Sequence, residues 1–342
     1  MTEGTRRSDL DYRTIEDILG PSSQRYFGEG MAKVEQALRS IVFSADGSIR
    51  ATGGISYPKD WSAKRSSGEL RPHLSSIDAV VLAAQLIECH LGHVYGLTAE
   101  QRSRAWIRSV EARAGGEPTL DLAAIAVGCT VTGSNAQKNS LGDWLTSFEC
   151  RVGSIKVGIQ VEHDAGDTPP QPGAFDSPAG VLGETWNPYH GNGHKLGTRT
   201  IERVRLFPQD GTAQALATVS PAGRAEPLNG LGSWYAPALS LVDGIVISAQ
   251  VAQALLYEVD GVSRDDTSTL WMRRFRAEQK TPHQPIGTPF ICALSTTSSR
   301  LRDMRGAKWR MSDLNVRMLG VEGSFSLAHA LPTTPAVADI AS

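Results

Sequence analysis

Pro72-His73-Leu74-Ser75-Ser76-Ile77-Asp78-Ala79-Val80-Val81-Leu82-Ala83-Ala84-Gln85-Leu86 returns 165 residues later as Pro237-Ala238-Leu239-Ser240-Leu241-Val242-Asp243-Gly244-Ile245-Val246-Ile247-Ser248-Ala249-Gln250-Val251. Seven of these positions are identical, and the remaining core positions exchange one aliphatic residue for another. The same offset carries Ala105-Trp106-Ile107-Arg108 onto Leu270-Trp271-Met272-Arg273, residues 127–134 onto 292–299, and Trp144 onto Trp309. An ungapped offset over this length marks a duplicated domain rather than two similar helices. Function must therefore be read from what the two copies share and from where they differ.

Residues 75–93 read as one helix of about 19 residues, spanning roughly 28 Å. Ile77, Val80, Val81, Ala84, Ile87 and Leu91 follow helical spacing, while Ala79, Leu82, Ala83 and Leu86 fill much of the opposite face. A helix that is apolar nearly all round belongs inside a core. Residues 240–257 repeat it. Strands are expected at 49–57, 105–114, 120–132 and 144–161, then at 198–207, 212–219, 269–277, 288–297, 310–319 and 324–329. Residues 24–42 read as an apolar-poor helix or turn. One long buried helix with several antiparallel strands is best satisfied by a curved sheet wrapped around it, the hot dog architecture, so the chain is expected to be an α+β double hot dog. The expected division is a mobile arm at 1–20, unit 1 at 21–163, a Pro/Gly-rich linker at 164–197, unit 2 at 198–331 and a disordered tail at 332–342.

Composition narrows the function. Thirty-four Lys and Arg stand against 36 Asp and Glu, so at −2 the chain offers no basic field for nucleic acid or anionic lipid. No signal-like or membrane-spanning run is read, and a cytoplasmic protein is expected. Cys89, Cys129, Cys150 and Cys292 lack a C-x-x-C spacing and read as reduced packing thiols. His90 and His93 have no third ligand nearby except Glu88, so neither a metal nor another cofactor is expected.

Asp78 and Asp243 are the shared candidates for chemistry. Each follows a serine by three residues, so Ser75 and Ser240 can cap the helices while the carboxylates reach back. A carboxylate at a helix start beside a sheet can also act as a base or orient a substrate hydroxyl, with helix N–H groups facing a thioester oxygen. Gly244, after Asp243, allows close backbone approach. His73 stands where unit 2 has Ala238, and imidazole suits proton transfer at neutral pH. Arg71 beside it could hold a phosphate or carboxylate. His190 and His194 lie in a glycine-rich loop, which reads first as structural and second as a loop reaching over a pocket.

The segments Tyr12-Arg13-Thr14-Ile15-Glu16-Asp17-Ile18-Leu19-Gly20-Pro21, Arg25-Tyr26-Phe27-Gly28 and Arg71-Pro72-His73-Leu74-Ser75-Ser76-Ile77-Asp78 resemble the AvrD family, named for avirulence protein D, over most of residues 12–330. The resemblance implies synthesis of syringolides, acylated sugar-derived butenolides, from a β-ketoacyl chain and a pentulose. The duplicated fold is also similar to A-factor-type butenolide synthases and to polyketide dehydratases, whose second unit carries a Pro-x-Leu-x-x-x-Asp stretch like Pro237 to Asp243. Those dehydratases carry a histidine in a His-x-x-x-Gly-x-x-x-x-Pro motif of the first unit, and here no histidine precedes His73. The implied partners are an acyl thioester of acyl carrier protein or coenzyme A and a sugar-type acceptor, and the sequence leaves a homodimer open. The leading expectation is transfer of a β-ketoacyl group to a sugar or sugar-phosphate hydroxyl, with Asp243 or His73 as base and a tunnel along the helix for the acyl chain. A thioesterase or dehydratase acting on thioesters alone, and a non-catalytic small-molecule binder, remain open beside it.

Overall fold

In the computed structural model, which describes residues 9–63, 71–137, 142–166, 171–221, 227–265, 270–304 and 306–332, the repeated stretch is helical in both copies, as Ser76–His93 and Leu241–Asp260. Each helix starts for a local reason. Ser75 and Ser240 remain extended, and their hydroxyls accept the backbone N–H of Asp78 and Asp243. The second helix stops at Gly261, where a φ of 65° closes the last turn at no steric cost. Every residue from Ile77 to Leu91 is buried, as is every residue from Leu241 to Ala252. By length and composition alone the second helix could cross a membrane, but here it is enclosed by sheet.

The strands in chain order are β1 (Leu10–Thr14), β2 (Glu35–Phe43), β3 (Ile49–Ser56), β4 (Trp106–Arg113), β5 (Ile125–Ala136), β6 (Trp144–Val152), β7 (Ile155–His163), β8 (Gly173–Phe175), β9 (Thr198–Phe207), β10 (Thr212–Ser220), β11 (Trp271–Gln279), β12 (Phe290–Met304), β13 (Ala307–Met318) and β14 (Val321–Ala330). Among the described residues they form one sheet, ordered β1-β9-β10-β12-β13-β14-β11-β4-β7-β6-β5-β3-β2-β8. Read from either end, the order is the same sequence of equivalent strands. The first helix packs against β2 to β7, and the second against β9, β10, β12 and β13. A long apolar helix is thus wrapped by an antiparallel sheet twice over, and the fold is a double hot dog.

The two halves meet where β4 pairs with β11. Glu111 lies opposite Arg276, its own equivalent (276 − 111 = 165), so a pseudo-twofold axis passes between them as in an isologous dimer. The outer edges are exchanged. β1, which precedes unit 1, covers unit 2 at β9, while β8, which precedes unit 2, covers unit 1 at β2. Each exchange protects a sheet edge that would otherwise expose unpaired backbone groups.

Three stretches differ from expectation. Leu10–Thr14, placed in a mobile arm, is a strand, and the neighbouring Ile15 and Leu19 are in the core. Its alternation of half-buried and exposed residues covers only five positions, too few to stand out. Residues 164–197, expected to be linker, contain β8 and the helical turns Pro178–Leu182 and Tyr189–Gly193. Within 24–42, Glu35–Phe43 is a strand. Its buried side chains Leu38, Ile41 and Phe43 break the period of two because Ser40 adopts a φ of 52° in a bulge. The equivalent Arg203 of β9 has a φ of 48°. The tail at 333–342, residues 1–8 and loop residues 64–70 lie outside the described residues.

Glu88 and His90 are buried in the unit 1 helix. Burial pushes His90 from its ordinary value of 6.5 down to about 4, and its Nε2 bonds the Gly47 carbonyl at 3.0 Å. Burial pushes the Glu88 carboxyl up to about 7, against the pull of the Leu231 amide, Arg102 and Trp186. The unfolded chain protonates His90 near 6.5, whereas the folded chain keeps it neutral until about 4. The unfolded state therefore binds more protons in that window, and this group withdraws about 3 kcal/mol of stability as pH falls through it. Glu88 acts in the opposite direction, so the difference between wild type and His90→Phe isolates the histidine. Chemical denaturation at pH 7 and pH 4 should show the variant gaining relative to wild type as pH falls; an unchanged difference would contradict this linkage.

Candidate active site

Asp78 is buried at the first turn of the unit 1 helix, and its carboxylate has left the cap. Its Oδ1 accepts Gln36 Nε2 at 2.6 Å. Its Oδ2 accepts the Ser75 hydroxyl at 2.5 Å, the Tyr26 hydroxyl at 3.0 Å and the Tyr57 hydroxyl. Gln36 comes from β2, Tyr57 from the end of β3 and Tyr26 from the turn preceding β2, so strands and helix together fix the geometry. Burial first, then the Asp78 charge, raises both tyrosines, which stay protonated and donate. The edge of Trp61 closes over them, with ring centroids 5.1 Å from Tyr57 and 5.8 Å from Tyr26.

Unit 2 and the segment leading into it complete this site. Lys195 Nζ donates to Gln36 Oε1 at 2.8 Å, and burial lowers its pKa against the opposing pull of Asp78 and Glu35. Trp271 on β11 packs against the His73 ring at 5.3 Å. Burial lowers His73 below its ordinary 6.5, so the ring is neutral at pH 7. The His73 carbonyl also accepts the Tyr57 hydroxyl at 3.2 Å. Tyr57 thus links the Asp78–Ser75 pair to the His73 backbone while the His73 ring faces Trp271, and Arg71 is exposed two residues away.

The equivalent carboxylate of unit 2 is arranged differently. Asp243 Oδ2 accepts both the Ser240 hydroxyl, at 2.6 Å, and the Ser240 N–H, at 3.2 Å, which completes a capping box. Asp243 Oδ1 accepts Arg199 Nε at 2.7 Å and Nη2 at 2.6 Å. The same guanidinium holds the backbone carbonyl of His194. Tyr189 turns away, its hydroxyl donating to the Ala238 carbonyl at 3.2 Å. A Cβ at Gly244 would make only ordinary contacts, 3.8 Å from Met318 and Val321, so no close backbone approach reserves that position for glycine.

Neither histidine of the glycine-rich loop joins the Asp78 site. His194 is buried, with neither ring nitrogen bonded among the described residues. His190 packs on Tyr189 and, with Ser240, Trp106 and Gln279, lines a cavity of about 20 Å³ beside the unit 2 helix start, room for about one water. Burial pushes it down to about 4. A larger cavity of about 410 Å³, lined by Gly47, His90, Tyr95 and Thr130, lies toward the far end of the unit 1 helix and touches neither carboxylate. Among the described residues no three His, Cys, Asp or Glu side chains cluster as a metal site.

The residues not anticipated here are Tyr26, Gln36, Tyr57, Lys195, Arg199 and Tyr189. For Tyr26, Gln36, Tyr189 and Arg199 the signal was a second offset. Tyr26-Phe27-Gly28-Glu29-Gly30 matches Tyr189-His190-Gly191-Asn192-Gly193 at 163 residues, and at that offset Gln36 corresponds to Arg199. A comparison held at 165 passes over both. The copies thus share the tyrosine, the serine and the aspartate, and differ in what meets the carboxylate, an amide in unit 1 and a guanidinium in unit 2.

Two mirrored helix-in-sheet units, each with a capped aspartate at its helix start, define this molecule as a double hot dog protein. The chain belongs to the AvrD family: the family model described as Pseudomonas avirulence D protein (AvrD) matches residues 10–332. Among solved structures it is similar to a conserved hypothetical protein of Mycobacterium tuberculosis with a double hotdog fold, at 10% identity over 96% of this chain and 97% of that one, with a TM-score of 0.40. It is also similar to acyl-CoA thioesterase II TesB2 from Mycobacterium marinum, at 8% identity over 74% and 92% of the two chains with a TM-score of 0.32. A MaoC-like dehydratase matches at 6% identity over 94% and 100%, with a TM-score of 0.37. Comparison with curated protein sequences finds no match.

The Arg199–Asp243 pair is itself testable. Both side chains are below 10% exposure, at 7% and 6%. Removing one partner leaves a buried charge without compensation, so Arg199→Gln should destabilise the protein by about 3–5 kcal/mol, and Arg199→Gln/Asp243→Asn should recover much of that loss. Equal stability of the single variant and wild type in urea denaturation would contradict a locked pair.

Proposed function

We propose that the protein is an enzyme of acyl thioesters that transfers a β-ketoacyl group to the hydroxyl of a sugar or sugar phosphate, leading to an acylated butenolide of the syringolide kind, and that unit 1 holds the active site. The observation that carries this proposal is the contrast between two equivalent carboxylates. Asp243 is neutralised and spent as a cap, whereas Asp78 is held by neutral donors at a junction of both units. Burying a carboxylate with no cation bonded to it costs more than the ion-paired cap of unit 2, and that arrangement suits a site that must orient hydroxyl groups.

In this proposal the thioester carbonyl lies over the helix start, where the N–H groups of Ser76 and Ile77 precede the capped amide of Asp78 and polarise it. His73, neutral at pH 7, takes the proton from the acceptor hydroxyl as that oxygen attacks the carbonyl carbon. The tetrahedral oxyanion then expels the thiolate, which takes that proton back from His73 and leaves as the thiol. Asp78 holds Tyr26, Tyr57 and Ser75 with their hydrogens directed inward and positions the acceptor by competing for its hydroxyls. Asp243, Ser240 and Gly244 serve the fold in unit 2, and Arg71 stands where it can meet an anionic group of the thioester carrier or acceptor. Membership of the AvrD family supports the acyl-sugar product class.

Thiol release from a β-ketooctanoyl thioester, measured with and without a pentulose or triose acceptor and followed by mass analysis of the extract, tests the proposal. Acceptor-dependent release with an ester or lactone product is expected. Asp78→Asn and His73→Ala should each lower kcat/KM by about 100-fold or more, while Asp243→Asn should change it only in proportion to folded protein. Release that ignores the acceptor would instead indicate a thioesterase, and loss of activity in Asp243→Asn alone would move the site to unit 2.

A further inference from the structure

Lys195 crosses from unit 2 into the unit 1 site on the short helical turn His194–Leu196. At the offset of 163 its counterpart is Ala32, just as the counterpart of Arg199 is Gln36. Unit 2 therefore places a guanidinium on its carboxylate with alanine behind, and unit 1 places an amide on its carboxylate with an amine behind. Neutralising Asp78 would need no more than an arginine at position 36, the solution unit 2 already uses. Unit 1 instead carries its positive charge on the one basic side chain that can readily lose its proton when desolvated. Lys195 Nζ donates to the Gln36 carbonyl oxygen and forms no ion pair with a carboxylate among the described residues. The Gln36 amide in turn donates to Asp78 at 2.6 Å, so amine and carboxylate are joined through a single side chain. Withdrawal from water favours the neutral amine, in keeping with its lowered pKa.

We propose that Lys195 is a catalytic residue whose amine condenses with the ketone carbonyl of a β-ketoacyl substrate to form an imine, with Asp78 moving the proton at the adjacent carbon. The inference rests on unit 1 being the acyl-thioester site. The amine nitrogen adds to the ketone carbon, the carbinolamine loses its hydroxyl as water, and a protonated imine results. The Asp78 carboxylate then removes a proton from the carbon between imine and ester, giving an enamine. That carbon attacks the ketone carbon of the joined sugar, forming the ring C–C bond, and the new alkoxide takes the proton back from Asp78. Water adds to the regenerated imine and returns the ketone and the free amine, so no oxidant or reductant enters.

The test is reductive trapping. The full-length protein is incubated with the N-acetylcysteamine thioester of β-ketooctanoic acid and sodium cyanoborohydride, then analysed by intact mass and peptide mapping. One adduct per chain is expected, on Lys195, with the mass of the substrate less one water plus two hydrogens. It should be absent from Lys195→Arg and Lys195→Gln and present in Asp243→Asn. Lys195→Arg keeps the charge, so it should still be stabilised by the thioester in a melting experiment while forming cyclised product at least about 100-fold more slowly. Absence of an adduct on Lys195, or cyclised product at the wild-type rate from Lys195→Arg, would overturn the imine even if acceptor-dependent thiol release continued. An adduct on Lys195 without acceptor-dependent release would keep the imine and refute acyl transfer.

Discussion

A carboxylate buried at the start of an apolar helix has to be paired, and the rest of this structure depends on how each copy pairs it. The serine three residues earlier supplies the cap in both units and fixes where the helix begins. Beyond that the solutions diverge. Unit 2 closes a capping box and adds Arg199, a charge-for-charge arrangement. Unit 1 distributes the same anion over two tyrosines, a serine and an amide, and sets Lys195 one side chain further back. Folding needs only the first solution.

The duplication explains why the second is available. A pseudo-twofold axis between Glu111 and Arg276 brings the lead-in segment of each unit to the other, as the exchanged edge strands β1 and β8 show. Lys195 and Trp271 therefore reach a site built on the unit 1 helix. In a symmetric homodimer, any residue that equips one site equips its mate. Within a single chain, one copy can keep the fold intact while the other is freed for chemistry, and the change from arginine to glutamine at equivalent positions is the kind of difference this permits.

Much of the architecture was legible in the residues because the signal was strong and gapless. A fully apolar stretch repeated with its serine and aspartate leaves few ways to bury itself, and the alternation in β6 and β7 supplied the wrapping sheet. β2 was hidden because the bulge at Ser40 shifts its buried side chains out of register, and β1 because five residues carry too little periodicity. At the candidate site, Asp78, Ser75 and His73 lie on the conspicuous helix or just before it. Tyr26, Gln36 and Lys195 lie in the lead-in segments, where the offset slips from 165 to 163 and sequence comparison loses its thread. Tyr57 has no equivalent in unit 2 and could be found only from the fold. His194, on the glycine-rich loop read first as structural, is buried at the position equivalent to the core residue Met31.

If unit 1 alone holds the functional site, the residue facing the aspartate decides where ligand binds. The most direct measurement is calorimetric binding of a β-ketooctanoyl coenzyme A analogue in which CH₂ replaces the thioester sulfur, to wild type and to Gln36→Arg, the substitution that gives unit 1 the lock of unit 2. One molecule bound per wild-type chain, and none by a folded Gln36→Arg variant, is the predicted result. Two molecules per chain, or undiminished binding by Gln36→Arg, would contradict it.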